Sequence, residues 1–230
     1  TSKMTGEKRL PQLDARLSAA AGYVRPGHVA ADIGCDHGKL TVDLLVSGRC
    51  PKVIAADLRP IPLSKAQENC RKAGCADRAE LRLGNGLEVL QPGEATDIVI
   101  AGMGAETIIE ILQAAPWVCD PAIRLILVPA TKHSILRRWL CQNGFGIEAE
   151  SLCRAAGRYY SVLCAAYNGA PFEPSGKFCV VGLTPGQPGA AEYRRRQLVK
   201  IQKYRRGMQP GPWADWVDDL IRTLEEDENG

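Results

Sequence analysis

No stretch of the 230-residue chain runs apolar for the roughly 18 residues that a bilayer-spanning helix requires, so a membrane-spanning helix is excluded. Histidine is scarce: His28, His37 and His133 are scattered without ligand spacing, and no Cys-x-x-Cys pair occurs, so no structural metal site is expected. The opening residues, TSKMTGEKRLPQLDARL, carry no long apolar leader, and the nine cysteines are an odd number, which argues against an oxidised secreted scaffold. Reduced thiols in a cytoplasmic protein are expected instead. There is no internal repeat, and a net charge of +3 permits a polyanionic partner without demanding one.

From about residue 29, short apolar runs alternate with amphipathic stretches, which is the cadence of βαβ units and a parallel sheet. VAADIG, KVIAAD, AELRLG (79–84), DIVIAG (97–102) and RLILVPA (124–130) read as five strands, each apolar because helices cover both faces. KLTVDLLVSG, PLSKAQENCRKAG, ETIIEILQAA and HSILRRWLCQNG read as the intervening helices. After Gly144, FGIEAESLCRA and RYYSVLCAAY are joined by a tight Ala-Gly link and predict an antiparallel hairpin. Leu13, Leu17, Ala20 and Ala21 predict a helix ahead of Arg25-Pro26-Gly27, covering a sheet edge or the lip of a site.

Residues 170–189 are rich in Pro and Gly and read as a linker, with room for a short strand over Phe178–Leu183. Beyond them, EYRRRQLVKIQKYRR carries seven basic residues and WADWVDDLIRTLEEDE seven acidic ones, which predicts an antiparallel helix pair. Leu198, Ile201, Tyr204 and Met208 supply one apolar stripe, and Trp213, Trp216, Val217, Leu220 and Leu224 the other. The basic residues of 194–206 either bind RNA phosphates or are neutralised by the acidic helix beside them; if Arg194, Arg195 and Arg196 point outward while Lys200 and Lys203 pair across the hairpin, both readings hold in part. The expected division is 1–169 for the main domain, its N-terminal helix included, and 190–230 for the helical hairpin.

The chemistry concentrates where the predicted strands end. In Asp32-Ile33-Gly34-Cys35-Asp36-His37-Gly38, Gly34 permits a tight turn at the carboxyl edge of the first strand. A dinucleotide loop would read G-x-G-x-x-G, but Asp36 stands where the second glycine would be, and its carboxylate repels a pyrophosphate. That argues against an NAD-dependent oxidoreductase. S-adenosylmethionine has no phosphate and carries an ammonium and a sulfonium, so Asp32 and Asp36 attract it. Asp57, with Leu58 beside it, ends the second strand where a carboxylate accepts ribose hydroxyls. Asn85 and Gly86 follow the third strand, where an amide oxygen can accept from an adenine amino group. Gly102, Met103 and Gly104 end the fourth, with glycines that let a flat base come close. His37 is a further candidate contact.

Taken together, DIGCDHG, AADLRP, LGNGL, IAGMGAETIIEIL and LRRWLCQNGFGIEAE resemble the bacterial tRNA (adenine-22-N1)-methyltransferase family, in order and spacing, over about residues 10–167. The resemblance implies an α/β, Rossmann-like class I methyltransferase sheet, mostly parallel with an antiparallel last strand, followed by a small C-terminal helical appendage. It implies S-adenosylmethionine as cofactor and tRNA as substrate. The chain departs from the family pattern at Asn85, where members usually carry Asp, at Ala105, where they carry a third Gly, and at Val128-Pro129-Ala130, where they carry Gln-Pro-Asn.

Transfer to adenine N1 needs alignment more than a general base, since N1 already has an in-plane lone pair, and the absence of a recognisable catalytic base fits that reaction. Arg16, Lys132, Arg137, Arg138, Tyr159, Arg194 and Arg195 are the candidate substrate contacts, with Tyr160, Arg154 and Arg158 beside them. A methyltransferase of another substrate, and a protein that binds cofactor or RNA without transfer, are the alternative readings.

Overall fold

The computed structural model describes residues 10–227; the ends of the expected first and last segments, 1–9 and 228–230, lie outside them. Helix α1 (Ala15–Tyr23) precedes an alternation of β1 (Ala30–Ile33), α2 (Lys39–Val46), β2 (Val53–Asp57), α3 (Pro60–Ala73), β3 (Ala79–Leu83), β4 (Asp97–Met103), α4 (Ala105–Gln113), β5 (Arg124–Pro129) and α5 (His133–Gln142). The hairpin β6 (Phe145–Ala155) and β7 (Arg158–Tyr167) and the helices α6 (Gly176–Val181), α7 (Ala190–Arg206) and α8 (Pro212–Glu226) complete it. The strands form one sheet in the order β3-β2-β1-β4-β5-β7-β6. Five are parallel, and β7 runs antiparallel between β5 and β6. This is the expected α/β sheet, mostly parallel with an antiparallel end, followed by C-terminal helices. None of the described helices is long and apolar enough to cross a membrane.

Two apolar layers follow from the period-two alternation of side chains in strands covered on both faces. Ile98, Ile100, Leu125 and Leu127 point to the layer closed by α4 and α5, with Ile108, Leu112, Leu136 and Leu140. Val99, Ile126, Val128 and Val162 point to the other, with Ala20, Val24, Leu40 and Leu44 of α1 and α2. The expected first helix thus covers the sheet over β5, β7 and β6, capped by the Asp14 carboxylate on the Leu17 amide (3.0 Å). The expectation that every strand is buried on both faces fails at β3, which is the sheet edge. Its first four residues are half-buried and Leu83 is exposed, and Glu80 and Arg82 pair with Lys52 and Glu94 there. The tight link between β6 and β7 has both Ala156 (φ 49) and Gly157 (φ 74) left-handed, the backbone that matches the twist of a two-residue hairpin.

The 170–189 segment is more than a linker. Ser175 caps α6 through the Phe178 amide (3.1 Å), so Phe178–Val181 is helical where a strand was expected, and Val180 and Val181 pack with Leu198 and Leu224 of the last two helices. Those helices do form the expected pair, but the ion pair across it is Arg205–Asp218 (2.8 Å) rather than one from Lys200 or Lys203. Tyr204, Trp213 and Trp216 are also not in its seam. They are 63%, 52% and 45% exposed and border an open groove against α5 and α6.

Arg137 corrects the sequence reading outright. Expected on the surface as a substrate contact, it is wholly buried, because each of its three nitrogens has been given a partner inside the protein. Its Nε donates to Glu150 (2.8 Å), one terminal nitrogen to the carbonyls of Cys179 (3.0 Å) and Val180 (2.8 Å), and the other to the Tyr193 hydroxyl (3.2 Å). Glu150, on β6, also accepts from Ser161 and from the Leu183 amide. One guanidinium therefore ties α5, the hairpin, the end of α6 and the start of α7 together. Removing one member of such a pair strands the other charge in a low dielectric. Arg137→Met is accordingly expected to lower the unfolding free energy by roughly 3–5 kcal/mol, and Arg137→Met with Glu150→Leu to recover much of the loss, as read from urea denaturation.

Candidate functional site

The β1 strand and its neighbours β2 and β4 lead their helices away from the carboxyl edge of the sheet to different faces, and a crevice of about 530 Å³ opens between them. The loop after β1 forms its floor. Gly34 takes φ +76, and the Gly34 and Cys35 amides both donate to the Ala56 carbonyl at 2.9 Å. A Cβ at Gly34 would lie 2.6 Å from the Ala101 carbonyl oxygen. The far end of the loop is held by Asn69, whose amide donates to the His37 carbonyl (2.8 Å).

Three carboxylates define the polarity of this space. Asp32 is buried and accepts from the Thr41 hydroxyl (2.7 Å). Burial raises its pKa to about 6, with the charges of Asp57 and Asp36 acting in the same direction and the Thr41 hydrogen bonds opposing. Asp57, also buried, receives the Asp36 amide (3.1 Å) on one oxygen and the Arg59 amide (2.9 Å) on the other, so it locks the two loops that frame the crevice. Asp36 is exposed in a left-handed conformation (φ 51), at 3.6 Å from Arg59 and 3.7 Å from His37. Cys35 is buried in the loop, and burial pushes its thiol pKa up, which makes it a packing residue rather than a nucleophile.

Asn85 and Gly86 close one end, where Gly86 (φ 55) is packed on the Ile111 side chain. Gly102 (φ 76) and Met103 form the wall from β4, at a bulge between Ala101 and Met103. Nothing lies within 4 Å of a Cβ built at Gly102, so this wall faces open space.

Of the expected cofactor contacts, Asp32, Gly34, Asp36, His37, Asp57, Leu58, Asn85, Gly86, Gly102 and Met103 all line the crevice. Gly104 does not; it faces the Thr131 hydroxyl. The crevice adds Lys39, Arg59, Thr107 and Ile111, which the sequence reading missed. Thr107 and Ile111 are four residues apart on α4 and so share a face, a periodicity that could have revealed them.

The expected substrate contacts scatter. Arg16 is on the crevice lip, paired with Asp14 (2.9 Å) and 5.4 Å above the Tyr160 ring. Lys132, left-handed at φ 57, caps α5 and pairs with Glu106 (2.7 Å). Tyr159 is half-buried between Arg154 and Arg196, at 5.5 and 5.0 Å from its ring centre. Arg138 pairs with Glu173 in the groove bordered by the exposed tryptophans, apart from the crevice. Arg195 pairs with Glu192 on the outer face of α7, and Arg194 is half-buried, its Nε without a hydrogen-bond partner among the described residues. Arg137, as shown above, is withdrawn from the surface altogether.

Residues 13–163 match the methyltransferase-domain family, a stretch that holds every strand and the whole crevice apart from the ends of β7. The chain belongs to that family. The methyltransferase domain is 34% identical over 154 residues to the tRNA (adenine(22)-N(1))-methyltransferase of Bacillus subtilis (strain 168), an alignment that covers 67% of this chain and 65% of the relative's own length. The crystal structure of the B. subtilis M1A22 tRNA methyltransferase TrmK superposes with a TM-score of 0.81 at 26% identity, over 94% of this chain and 98% of the other. That of M. capricolum TrmK with S-adenosyl-homocysteine shares the fold, with a TM-score of 0.78 at 23% identity, over 93% of this chain and 96% of the other.

Gly34 and Gly102 of the methyltransferase domain have the same φ but different surroundings, which separates backbone strain from steric blockage. Gly102→Ala is expected to cost about 1–2 kcal/mol for the left-handed backbone alone. Gly34→Ala is expected to cost clearly more, because its Cβ meets a carbonyl as well, and thermal unfolding of the two variants side by side measures the difference.

Proposed function

We propose that the protein transfers a methyl group from S-adenosylmethionine to N1 of an adenine in tRNA, at position 22. The observation that carries the reading is the crevice itself: a glycine-cradled loop with Asp32, Asp36 and Asp57 around it and an open wall at Gly102, in a chain similar to m1A22 tRNA methyltransferases. Such a site repels phosphate and suits a nucleoside that ends in a cationic amino acid.

The residues fit that cofactor on two counts. A side chain at Gly34 would collide with the Ala101 carbonyl, so the bare backbone of the loop packs closely on β4, and the turn that brings Asp36 to the crevice is kept tight. Asp57 has its carboxylate fixed by two amides, which leaves lone pairs oriented for ribose hydroxyls. Asp32 would face the ammonium, and the Asn85 carbonyl oxygen would accept from the adenine amino group. When bound, the cofactor supplies a methyl carbon made electrophilic by a sulfonium.

What remains for the protein is placement. Adenine N1 is engaged in the Watson–Crick edge of a paired base, so the base must be unpaired and swung out before its lone pair can come within about 3–3.5 Å of the methyl carbon. Gly102, open on its Cβ side, leaves room for the flat ring there. No side chain has to remove a proton before the bond forms. The eight buried and free cysteines among the described residues suit a reducing compartment, which for this activity is the cytoplasm.

Two measurements test the reading. Labelled methyl from S-adenosylmethionine should appear in unmodified bulk tRNA as 1-methyladenosine, and Asp57→Ala, with folding checked by circular dichroism, should weaken cofactor binding by about 10- to 100-fold. Cofactor binding without transfer to tRNA would replace the proposal by another substrate or a non-catalytic role. The second measurement is pH. A bound ammonium favours the ionised form of Asp32 and so lowers its pKa; binding therefore releases a proton and weakens as pH falls. Affinity is expected to be flat above about pH 6 and to fall by up to tenfold per unit below it, measured by calorimetry, with Asp32→Asn losing that dependence.

A further inference from the structure

A second cleft, of about 310 Å³, opens between the loop joining β5 to α5 and the first turns of α7. Four cations border it: Lys132 from the loop, Arg158 from the start of β7, and Arg196 and Lys200 from α7. Two of them are already committed. Lys132 pairs with Glu106, and Arg196 pairs with Glu192 and donates to the Gly157 carbonyl (2.9 Å). Arg158 and Lys200 have no carboxylate within ion-pair distance among the described residues, so their charge is uncompensated. The imidazole of His133, also in the wall, adds none. Burial, and then the nearby charge of Arg137, lower its pKa to about 4.

The backbone adds to the same field. Lys132 stands at the N-cap of α5 in a left-handed conformation and makes no side-chain cap; the Ile135 amide turns back on the Lys132 carbonyl (3.1 Å), and the amides ahead of it begin the ten-residue helix beside the cleft, at its positive end. The combination of such amides with cationic side chains in a cavity is what binds a phosphate.

The cleft is also joined to the crevice. The Ala130 amide, in the wall of the cleft, donates to the Met103 carbonyl (2.8 Å), in the wall of the crevice. Arg16 of the crevice lip and Arg158 of the cleft are both held against the ring of Tyr160, at 5.4 and 5.8 Å. One half-buried aromatic thus carries the basic lining from one cavity to the other.

We propose that this cleft binds a backbone phosphate of the RNA strand adjacent to the target nucleotide, with Arg158 and Lys200 as its ligands and Lys132 and the start of α5 as its floor. The assignment rests on the reading of the protein as a tRNA methyltransferase and adds to it where the strand is gripped. A phosphate fixed beside the open wall at Gly102 would limit how far a flipped base can wander, so the contact orients as well as attracts.

The test uses the full chain and an unmodified tRNA transcript. Arg158→Ala with Lys200→Ala, both on exposed side chains, should raise the KM for tRNA about tenfold or more and flatten the logarithmic salt dependence of tRNA binding by about one to two units. Cofactor affinity, measured without RNA, should stay at the wild-type value. Arg158→Lys with Lys200→Arg should restore most of the binding, and Arg222→Ala, on the far helix α8, should leave it unchanged. If the double alanine variant keeps wild-type KM and salt slope, or if the charge-conserving variant binds no better than the alanine one, the phosphate site is wrong. A wild-type protein that transfers no methyl to tRNA overturns the underlying activity instead, and that result is read before any variant is made.

Discussion

The guanidinium of Arg137 is the constraint from which the two-part architecture follows. A wholly buried arginine is tolerable only if its nitrogens find partners and its charge a counter-charge, and here those partners come from β6, α6 and α7. The Tyr193 hydroxyl that accepts from Arg137 is 3.1 Å from His133 Nδ1, whose other nitrogen is 3.2 Å from the Pro129 carbonyl. A carbonyl only accepts, so Nε2 carries the proton, Nδ1 accepts from Tyr193, and the imidazole is neutral, as its lowered pKa requires. The position of α7, and with it Arg196 and Lys200, is thereby referred to the end of β5, a few residues from the reaction crevice.

The crevice depends on a different device, the reversal of strand order at β1. Sheet topology makes the opening, and backbone chemistry shapes it: Gly34, Asp36, Gly86 and Gly102 all adopt left-handed conformations within it. Asp36 is the exception in side chain, since a non-glycine residue there is strained, and it is held by its amide on Asp57. The acidic loop of the crevice and the basic lining of the second cleft are joined through the Met103 end of β4, so charge of opposite sign lines two neighbouring cavities.

The sheet, its order of elements and ten of the crevice residues were legible because each is written locally, in apolar runs and in turns that only certain residues allow. Asp32, Asp57 and Gly102 stand at strand ends, and a strand end is visible in sequence. The failures have a common cause in partners distant along the chain. Arg137 looks like a surface residue on an amphipathic helix until Glu150 and the Cys179 and Val180 carbonyls are brought to it. Trp213 and Trp216 fall on the apolar stripe of α8, but the seam is filled by Val217 and Leu224, and the indoles are left outside, stacked at 4.9 Å. The Pro- and Gly-rich 170–189 segment looked like spacer, but its carbonyls are needed by a buried charge. Lys39 and Arg59 carry no pattern that distinguishes them from ordinary surface cations.

The insertion of β7 between β5 and β6 has a consequence for the order in which the molecule can be assembled. The parallel part of the sheet is complete once β5 has left the ribosome, but β5 has no outer neighbour until the chain has passed Tyr167. Glu150, on the strand that becomes the outer edge, meets Arg137 only then, and Arg137 has no counter-charge before it. Until the hairpin closes, Arg158 and Tyr159 are not in place in the wall of the second cleft, whereas every residue that lines the crevice precedes the hairpin in the chain.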